Sequence, residues 1–241
     1  MQPESIELDV DNQKVRGKLF KPQGRAQRLA VLLLHGWTGQ ANTDAAAVLA
    51  DAGYWTLALC MRGHGNSDGN LRDVTPRMSL DDVLKAYDFL IERLPSGTGI
   101  VPVGNSYGAY LAVLLAAERK VAAISLRVPS VYPDDGFDTP EMGRGGLVRD
   151  WRLGSLPWQE NRAFTALHNF GGPVQIIEAE HDEWIPHESV ENYLAALPDG
   201  SVPDYHFMHG WTHALGGNVE WNQEFRRILL AWLDSVAGHQ N

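Results

Sequence analysis

Residues 100–108 read Ile-Val-Pro-Val-Gly-Asn-Ser-Tyr-Gly, and residues 109–118 continue as an alanine- and leucine-rich stretch. The apolar run predicts a buried strand, the following stretch predicts a helix, and the junction fits the pattern G-x-S-x-G. A serine on a sharp strand-to-helix turn has strained backbone angles, so small residues are needed beside it; Gly104 and Gly108 meet that need. The turn would hold the Ser106 hydroxyl above the carboxyl edge of a sheet, where it can act as a nucleophile.

The flanking sequence repeats this strand and helix pattern. Unbroken apolar runs separated by helix-length stretches are typical of parallel strands buried on both faces. They occupy residues 29–34, 54–61, 99–103, 121–126 and 173–179. Two alternating segments, 6–10 and 15–20, predict an opening antiparallel hairpin, and a strand at 205–208 brings the count to eight. A last amphipathic helix is predicted at 221–236, and Ser79 is the expected N-cap of a helix that Pro95 ends.

The length of 241 residues favours a single domain, 1–241. One segment, residues 131–171, is rich in Pro, Gly, Asp and aromatic residues and shows no strand pattern. An irregular insert of that length in a compact domain usually has a function, such as covering a site, so we expect a small lid there. Some of its rings should line a substrate pocket; they are Tyr132, Phe137, Trp151, Trp158 and Phe164.

The composition excludes several classes of function. Twenty Lys and Arg against thirty Asp and Glu give a net charge of −10, which should repel phosphate backbones and anionic membrane surfaces. Nucleic acid and membrane partners are therefore not expected. The N-terminus lacks a basic and apolar leader, no apolar run is long enough to span a membrane, and Cys60 is the only cysteine. We expect a cytoplasmic protein without an internal disulfide; the oligomeric state is not predicted.

Three motifs in order resemble the α/β-hydrolase family over nearly the whole chain. Residues 34–37, Leu-His-Gly-Trp, resemble the family's His-Gly oxyanion segment, and residues 62–67, Arg-Gly-His-Gly-Asn-Ser, resemble its R-G-H-G-x-S loop. The resemblance implies a mostly parallel eight-stranded sheet with helices on both faces. Two departures are Asn105, where many relatives have His, and Pro102, whose missing N–H should cost a ladder bond in a central strand.

The base that activates Ser106 is expected near the end of the chain, since the family order is Ser, acid, His. His213, in the loop after the last predicted strand, lies where the resemblance implies the base. His209 is its close rival, but it ends the strand, where the pleat would fix its side chain. The remaining histidines lack other ligand types at metal spacing, so no metal is predicted.

The acid is expected after the seventh strand. Residues 173–186 resemble that strand followed by an Asp and then Ile-Pro, and Asp182 occupies the position of the acid. Glu180 and Glu183 are near enough to be alternatives. The acid would accept the second N–H of His213 and stabilise the imidazolium.

The resemblance further implies an oxyanion hole made by the backbone N–H groups of Trp37 and Tyr107. The predicted reaction is acyl transfer from a small-molecule carboxylic ester of small to moderate size to Ser106 and then to water, without a cofactor. The alternatives on the same triad are a carbon–carbon bond hydrolase of diketone-like acids, which residues 104–106 resemble, a thioesterase or a peptidase. A non-catalytic ligand-binding member of the fold would be expected to lack a triad residue, and none is missing.

Overall fold

The computed structural model describes residues 2–140, 147–154 and 156–238. Within these ranges eight strands form one sheet. They are β1 (Glu4–Val10), β2 (Gln13–Phe20), β3 (Leu29–Leu34), β4 (Trp55–Cys60), β5 (Gly99–Asn105), β6 (Ile124–Arg127), β7 (Val174–His181) and β8 (Asp204–Thr212). Their order across the sheet is β1-β2-β4-β3-β5-β6-β7-β8.

The sheet is mostly parallel, as predicted. Only β2 runs against its neighbours β1 and β4, and every other pair is parallel. The central strands β3 and β6 are buried along their whole length, which explains why the sequence of β3 is continuously apolar rather than alternating. The carboxyl ends of β3, β5, β6, β7 and β8 therefore meet at one edge of the sheet.

Helices cover both faces of the sheet. They are α1 (Thr43–Asp51), α2 (Pro76–Ile91), α3 (Tyr107–Glu118), α4 (Leu147–Arg152), α5 (Arg162–His168), α6 (His187–Ala195) and α7 (Val219–Gly238). One buried apolar cluster includes side chains of α2, α3, α5 and α6, and the other includes side chains of α1 and α7. The predicted α/β-hydrolase fold is confirmed. Within the described ranges, no helix combines the length and the apolarity needed to cross a bilayer.

Strand β5 keeps its register in spite of Pro102. The pairing with β3 runs without a break from Leu29 opposite Gly99 to Leu34 opposite Gly104. On the other side, pairing with β6 begins only at Val103, one residue after the proline. The missing N–H therefore precedes the β5–β6 ladder, and the expected loss of a ladder bond does not disturb the turn that follows.

The start of α2 differs from the prediction. The helix begins four residues earlier than expected, because the Thr75 hydroxyl, and not Ser79, accepts a first-turn N–H at 3.2 Å. Ser79 is instead fully buried within the helix. Asp82 is also buried and accepts the Arg62 backbone N–H and its Nε–H, each at 2.7 Å. The helix thereby anchors the loop that follows β4.

The predicted lid segment, residues 131–171, is only partly described, and residues 141–146 and 155 lie outside the described residues. The later part of this segment belongs to the hydrophobic core and does not form a lid. Helix α5 packs against α3, and Phe164 is fully buried with its ring 5.0 Å from that of Tyr193. The sequence did not reveal this because α5 is only seven residues long, which is too short for a clear helical period.

Candidate active site

Ser106 lies on the turn between β5 and α3, at the central carboxyl edge of the sheet. Its backbone angles are φ 54° and ψ −112°, a conformation that non-glycine residues rarely adopt. Such a conformation costs about 1–3 kcal/mol and persists only where the surroundings impose it. Here the Ser106 N–H donates to the Arg127 carbonyl at 2.9 Å, and the Ser106 carbonyl accepts the Ala109 N–H at 3.0 Å. The turn therefore holds the serine from both sides.

The two glycines of the turn are required by close backbone contacts. A Cβ on Gly104 would lie 2.3 Å from the Gly108 carbonyl oxygen, and a Cβ on Gly108 would lie 2.3 Å from the Leu34 carbonyl oxygen. Real Cβ atoms do not approach backbone this closely, so any side chain would push α3 away from β3. The pattern G-x-S-x-G thus has the structural role that the sequence predicted for it.

His213 and Asp182 lie together at the carboxyl ends of β8 and β7. The last residues of the two strands pair as His181 opposite Thr212, so the residues that follow them are neighbours. The His213 Nδ1 lies 2.7 Å and 2.9 Å from the two Asp182 carboxylate oxygens. Both side chains are largely buried, with 16% and 5% of the side chain exposed. The structure therefore brings the predicted base and acid into contact.

The Asp182 carboxylate is oriented by its own loop. One of its oxygens accepts the backbone N–H groups of Trp184 at 2.9 Å and Ile185 at 2.8 Å. A neutral His213 beside this carboxylate carries its proton on Nδ1, since a carboxylate can only accept. Its Nε2 is then the unprotonated nitrogen, which is the tautomer that a general base needs.

The alternative residues have other partners. His209 lies within β8 with 82% of its side chain exposed, and its Nδ1 is 3.6 Å from Glu180. Glu180 also accepts the Gly210 N–H at 2.7 Å. Glu183 approaches only the backbone N–H of His213, at 3.4 Å. Among the described contacts, neither glutamate touches the His213 ring, so the geometry favours Asp182 and His213 over their rivals.

The segment that carries Trp37 packs against the nucleophile turn. A Cβ on Gly36 would lie 3.3 Å from the Ser106 Cβ, and Gly36 and Gly39 close a turn through a 2.9 Å hydrogen bond. The Trp37 ring meets the Tyr107 ring edge to face at 5.0 Å. Tyr107 is the first residue of α3, where backbone N–H groups point out of the helix start. Both predicted oxyanion donors thus belong to segments that adjoin Ser106.

His35 fixes the shape of this segment. Its Nδ1 donates to the Gly36 carbonyl at 2.8 Å, which leaves Nε2 to accept the Met61 N–H at 3.1 Å. The pKa of His35 is lowered from 6.5 to about 4, mainly by burial; the hydrogen bond to the Gly36 carbonyl opposes the shift and the neighbouring His64 adds to it. His35 is therefore neutral at physiological pH. It joins the loop after β3 to the end of β4.

Arg127 is a site residue that the sequence analysis missed. Its carbonyl accepts the Ser106 N–H, and its guanidinium Nη2 donates to the His213 carbonyl at 3.0 Å. Within the described part of the chain, the Ser106 hydroxyl makes no direct hydrogen bond to His213, so Arg127 is what connects the two segments. The available signal was a charged residue at the end of the otherwise buried strand β6.

The aromatic rings of the lid segment mostly pack elsewhere. Tyr132 is buried with its ring 5.4 Å from that of Tyr107, directly behind the nucleophile turn. Trp158 stacks on His168 at 3.6 Å, and Phe164 lies in the core. Of these three rings, Tyr132 alone contacts a residue of the site. The expectation that several rings line a pocket is not met by Trp158 or Phe164.

Comparisons with known proteins agree with this architecture. The model of the alpha/beta hydrolase family matches residues 31–233. A search of curated protein sequences finds no significant match.

Solved structures resemble the chain over nearly its full length. An alpha-beta serine hydrolase homologue from Coxiella burnetii is 22% identical, with a TM-score of 0.69, and 97% of this chain and 98% of that chain are covered. Est1E from Butyrivibrio proteoclasticus, solved with ferulic acid bound, is 21% identical, with a TM-score of 0.71 and coverage of 94% and 98%. The Pyrococcus horikoshii acylaminoacyl peptidase is 15% identical, with a TM-score of 0.74, and the match covers 97% of this chain and 41% of that one.

At identities of 15–22%, the similarity to these solved structures shows the fold alone. The family model, by contrast, spans well over half of the sequence and contains the serine turn, Asp182 and His213. The chain belongs to the alpha/beta hydrolase family.

Proposed function

We propose that the protein is a serine hydrolase that cleaves carboxylic esters through an acyl-serine intermediate. The observation that carries the proposal is the contact of the His213 Nδ1 with the Asp182 carboxylate at 2.7 Å, at the same sheet edge as the strained Ser106 turn. Packing alone gives no reason for a non-glycine residue at φ 54°. A serine with a base and an acid at one edge is the arrangement that acyl transfer needs.

In the proposed reaction, the Ser106 Oγ attacks the ester carbonyl carbon while the His213 Nε2 takes the hydroxyl proton. The carbonyl oxygen becomes an oxyanion, which the N–H groups of Trp37 and Tyr107 stabilise. When the carbon–oxygen bond to the alcohol breaks, the leaving oxygen takes the proton from His213. Asp182 stays ionised throughout and stabilises the imidazolium.

The second half of the reaction repeats these steps with water. His213 removes a proton from water, the resulting hydroxide attacks the acyl carbon, and the bond to the Ser106 Oγ breaks with return of the proton to that oxygen. The products are a carboxylic acid and an alcohol, and the residues are restored. We expect small-molecule esters of small to moderate acyl size and a cytoplasmic enzyme, as the sequence predicts; no cofactor enters the reaction.

The first experiment is labelling with a fluorophosphonate probe, which reacts with activated serines. Wild-type protein should be labelled at Ser106, located by mass spectrometry, and Ser106→Ala should not be labelled. The matched control is Ser130→Ala, since Ser130 is also buried but lies in the loop after β6. An unlabelled but folded wild type would favour a non-catalytic member of the fold.

A second experiment defines the bond that is cleaved. Purified protein is given esters from acetate to palmitate, thioesters, peptides and diketone-like acids. We expect kcat/KM for esters to rise with chain length and then fall, because each buried CH2 contributes about 0.8 kcal/mol only until the pocket is full. A continued rise to palmitate, with a jump when droplets form, would indicate a lipase. Higher turnover of the diketone acids would favour the carbon–carbon hydrolase instead.

A further inference from the structure

A cavity of about 540 Å³ lies beside the nucleophile turn, on the face of the sheet that α1 and α7 cover. Its walls come from the loop after β3, the ends of β5 and β6, the residues that follow His213, and α7. The side chains that matter here are those of Asn105, Arg127 and Phe225, with Asp44 at the rim. Ser106 itself does not line the cavity, but Asn105 precedes it in the chain and Gly36, another wall residue, packs against it, with its Cβ position 3.3 Å from the Ser106 Cβ; the cavity therefore adjoins the Ser106 turn.

Arg127 is a buried cation with an unused donor. Only 4% of the residue is exposed, its Nη2 donates to the His213 carbonyl, and its Nη1 is buried without a hydrogen-bond partner. No ion pair of Arg127 is found among the described residues. Its Cζ lies 6.0 Å from the centre of the Phe225 ring. A buried guanidinium is costly unless its donors are satisfied, so an anion in the cavity would supply what the chain does not.

Asn105 adds an unused acceptor to the same wall. It is directly opposite Arg127 in the β5–β6 register, and residues paired in this way point their side chains to the same face of a sheet. The Asn105 Oδ1 is also buried without a partner. Two unpartnered polar atoms of opposite kind thus belong to neighbouring side chains that line one cavity. This is a built polar subsite rather than a packing defect.

We propose that this cavity binds a carboxylate of the substrate, with the Arg127 guanidinium as its cationic partner; the Asn105 Oδ1 can only accept a hydrogen bond, so it would pair with a donor group and not with the carboxylate. The substrate would then be an ester that bears a free carboxylate. This inference rests on the proposed ester hydrolysis and deepens it. Arg127 suits the role because a guanidinium offers a planar set of donors that matches a carboxylate.

The other charges around the cavity do not replace such a ligand. The pKa of Arg127 is lowered to about 10 by burial, which the nearby Asp182 carboxylate only partly opposes, so the guanidinium remains charged at neutral pH. The Asp182 carboxylate is held by His213 and by two backbone N–H groups. His35 is neutral, with both ring nitrogens engaged. Asp44 is exposed to water at the rim, where its charge is screened.

The test compares pairs of esters that differ in the carboxylate. On the acyl side, monoethyl glutarate carries the carboxylate and ethyl hexanoate lacks it. On the alcohol side, carboxymethyl butyrate carries the carboxylate and isobutyl butyrate lacks it. We expect one charged ester to exceed its neutral partner in kcat/KM by about 10- to 100-fold, the usual size of a charge-assisted hydrogen bond. Equal or lower kcat/KM for both charged esters would overturn the inference while leaving ester hydrolysis intact.

Variants assign the preference to Arg127. Arg127→Gln removes the charge but keeps an N–H that can donate to the His213 carbonyl, so turnover of the neutral ester monitors any disturbance of the His213 loop. The ratio of charged to neutral kcat/KM should fall to about 1 or below. Arg227→Met, at an exposed residue of α7 that pairs with Glu224, is the control and should keep the wild-type ratio. A wild-type ratio in Arg127→Gln would place the anion elsewhere and refute the proposal.

A binding measurement makes the result independent of turnover. Calorimetry should show that glutarate binds to the Ser106→Ala variant. Glutaramide should not bind to that variant, and glutarate should not bind to the double variant Ser106→Ala with Arg127→Gln. If the wild type hydrolyses no ester but glutarate binding depends on Arg127, the subsite stands and the proposed reaction is wrong. If Arg127→Gln does not fold, glutarate must compete with ethyl hexanoate in the wild type while glutaramide, which has the same length but neither charge nor ester bond, does not; absence of competition by glutarate, or equal competition by glutaramide, refutes the subsite.

Discussion

Replacing Ser106 by glycine should give a more stable protein than replacing it by alanine. Both variants lack the hydroxyl, so they differ only in the Cβ. At φ 54° and ψ −112° a Cβ is strained, by about 1–3 kcal/mol. Glycine removes this strain but gives the unfolded chain more freedom, which costs about 0.5–1 kcal/mol. The net advantage of Ser106→Gly should therefore be about 1 kcal/mol.

Urea unfolding, followed by far-ultraviolet circular dichroism, measures the two free energies of unfolding. In thermal scans, about 1 kcal/mol corresponds to a difference in Tm of about 2–4 °C for a domain of this size. Ser79 provides the control, because it is also buried but lies inside α2 with ordinary helical geometry. There the order should reverse, with alanine more stable than glycine by about 1 kcal/mol. Equal stabilities of the two Ser106 variants, or a more stable alanine variant, would show that the turn is not strained.

Three other perturbations test the site. Asp182→Asn should lower kcat by about 10³- to 10⁴-fold, because an amide can hold the wrong tautomer of the base, whereas Glu180→Gln should leave kcat nearly unchanged in steady-state assays. His213→Ala should abolish turnover and His209→Ala should not; the reverse result would move the base to His209. His35 has a folded pKa of about 4 against 6.5 unfolded. Between these two pH values the unfolded chain binds a proton on His35 and the folded protein does not. The free energy of unfolding is therefore unaffected by His35 above pH 6.5 and falls by about 3 kcal/mol as the pH is lowered to 4. The free energy of unfolding of His35→Gln, measured against pH, should lack that decrease.

The fold was predictable because its strands are buried on both faces. Continuous apolar runs such as 29–34 and 173–179 have no other good interpretation when helix-length segments separate them. Boundaries were predicted less well, since they depend on contacts distant in sequence. Strand β8 extends four residues beyond the predicted end, to Thr212, and carries the candidate base to the side of β7. Helix α2 begins at a cap that the apolar period alone did not reveal.

The site was predictable where one local motif determines the geometry, as at Ser106. Side-chain roles that require two remote segments were not. Arg127 and His213 are far apart in sequence, and only the folded sheet brings the guanidinium to the His213 carbonyl. The same applies to the buried ion pair of Arg62 and Asp82, whose residues are also separated in sequence. The signal in the sequence was a charged residue, Arg127, at the end of a run that is otherwise predicted to be buried.

Because β8 lies at the edge of the sheet, the protein should lose activity under milder conditions than those that unfold it. This strand is hydrogen-bonded only to β7, whereas β5, which carries Ser106, has neighbours on both sides. Strands with one neighbour open at lower free energy than central strands. Opening of β8 would carry His213 away from Asp182 while the nucleophile turn stays intact. Heat should therefore inactivate the protein at a temperature below its Tm, and a preparation that is fully folded by spectroscopy can already contain inactive molecules.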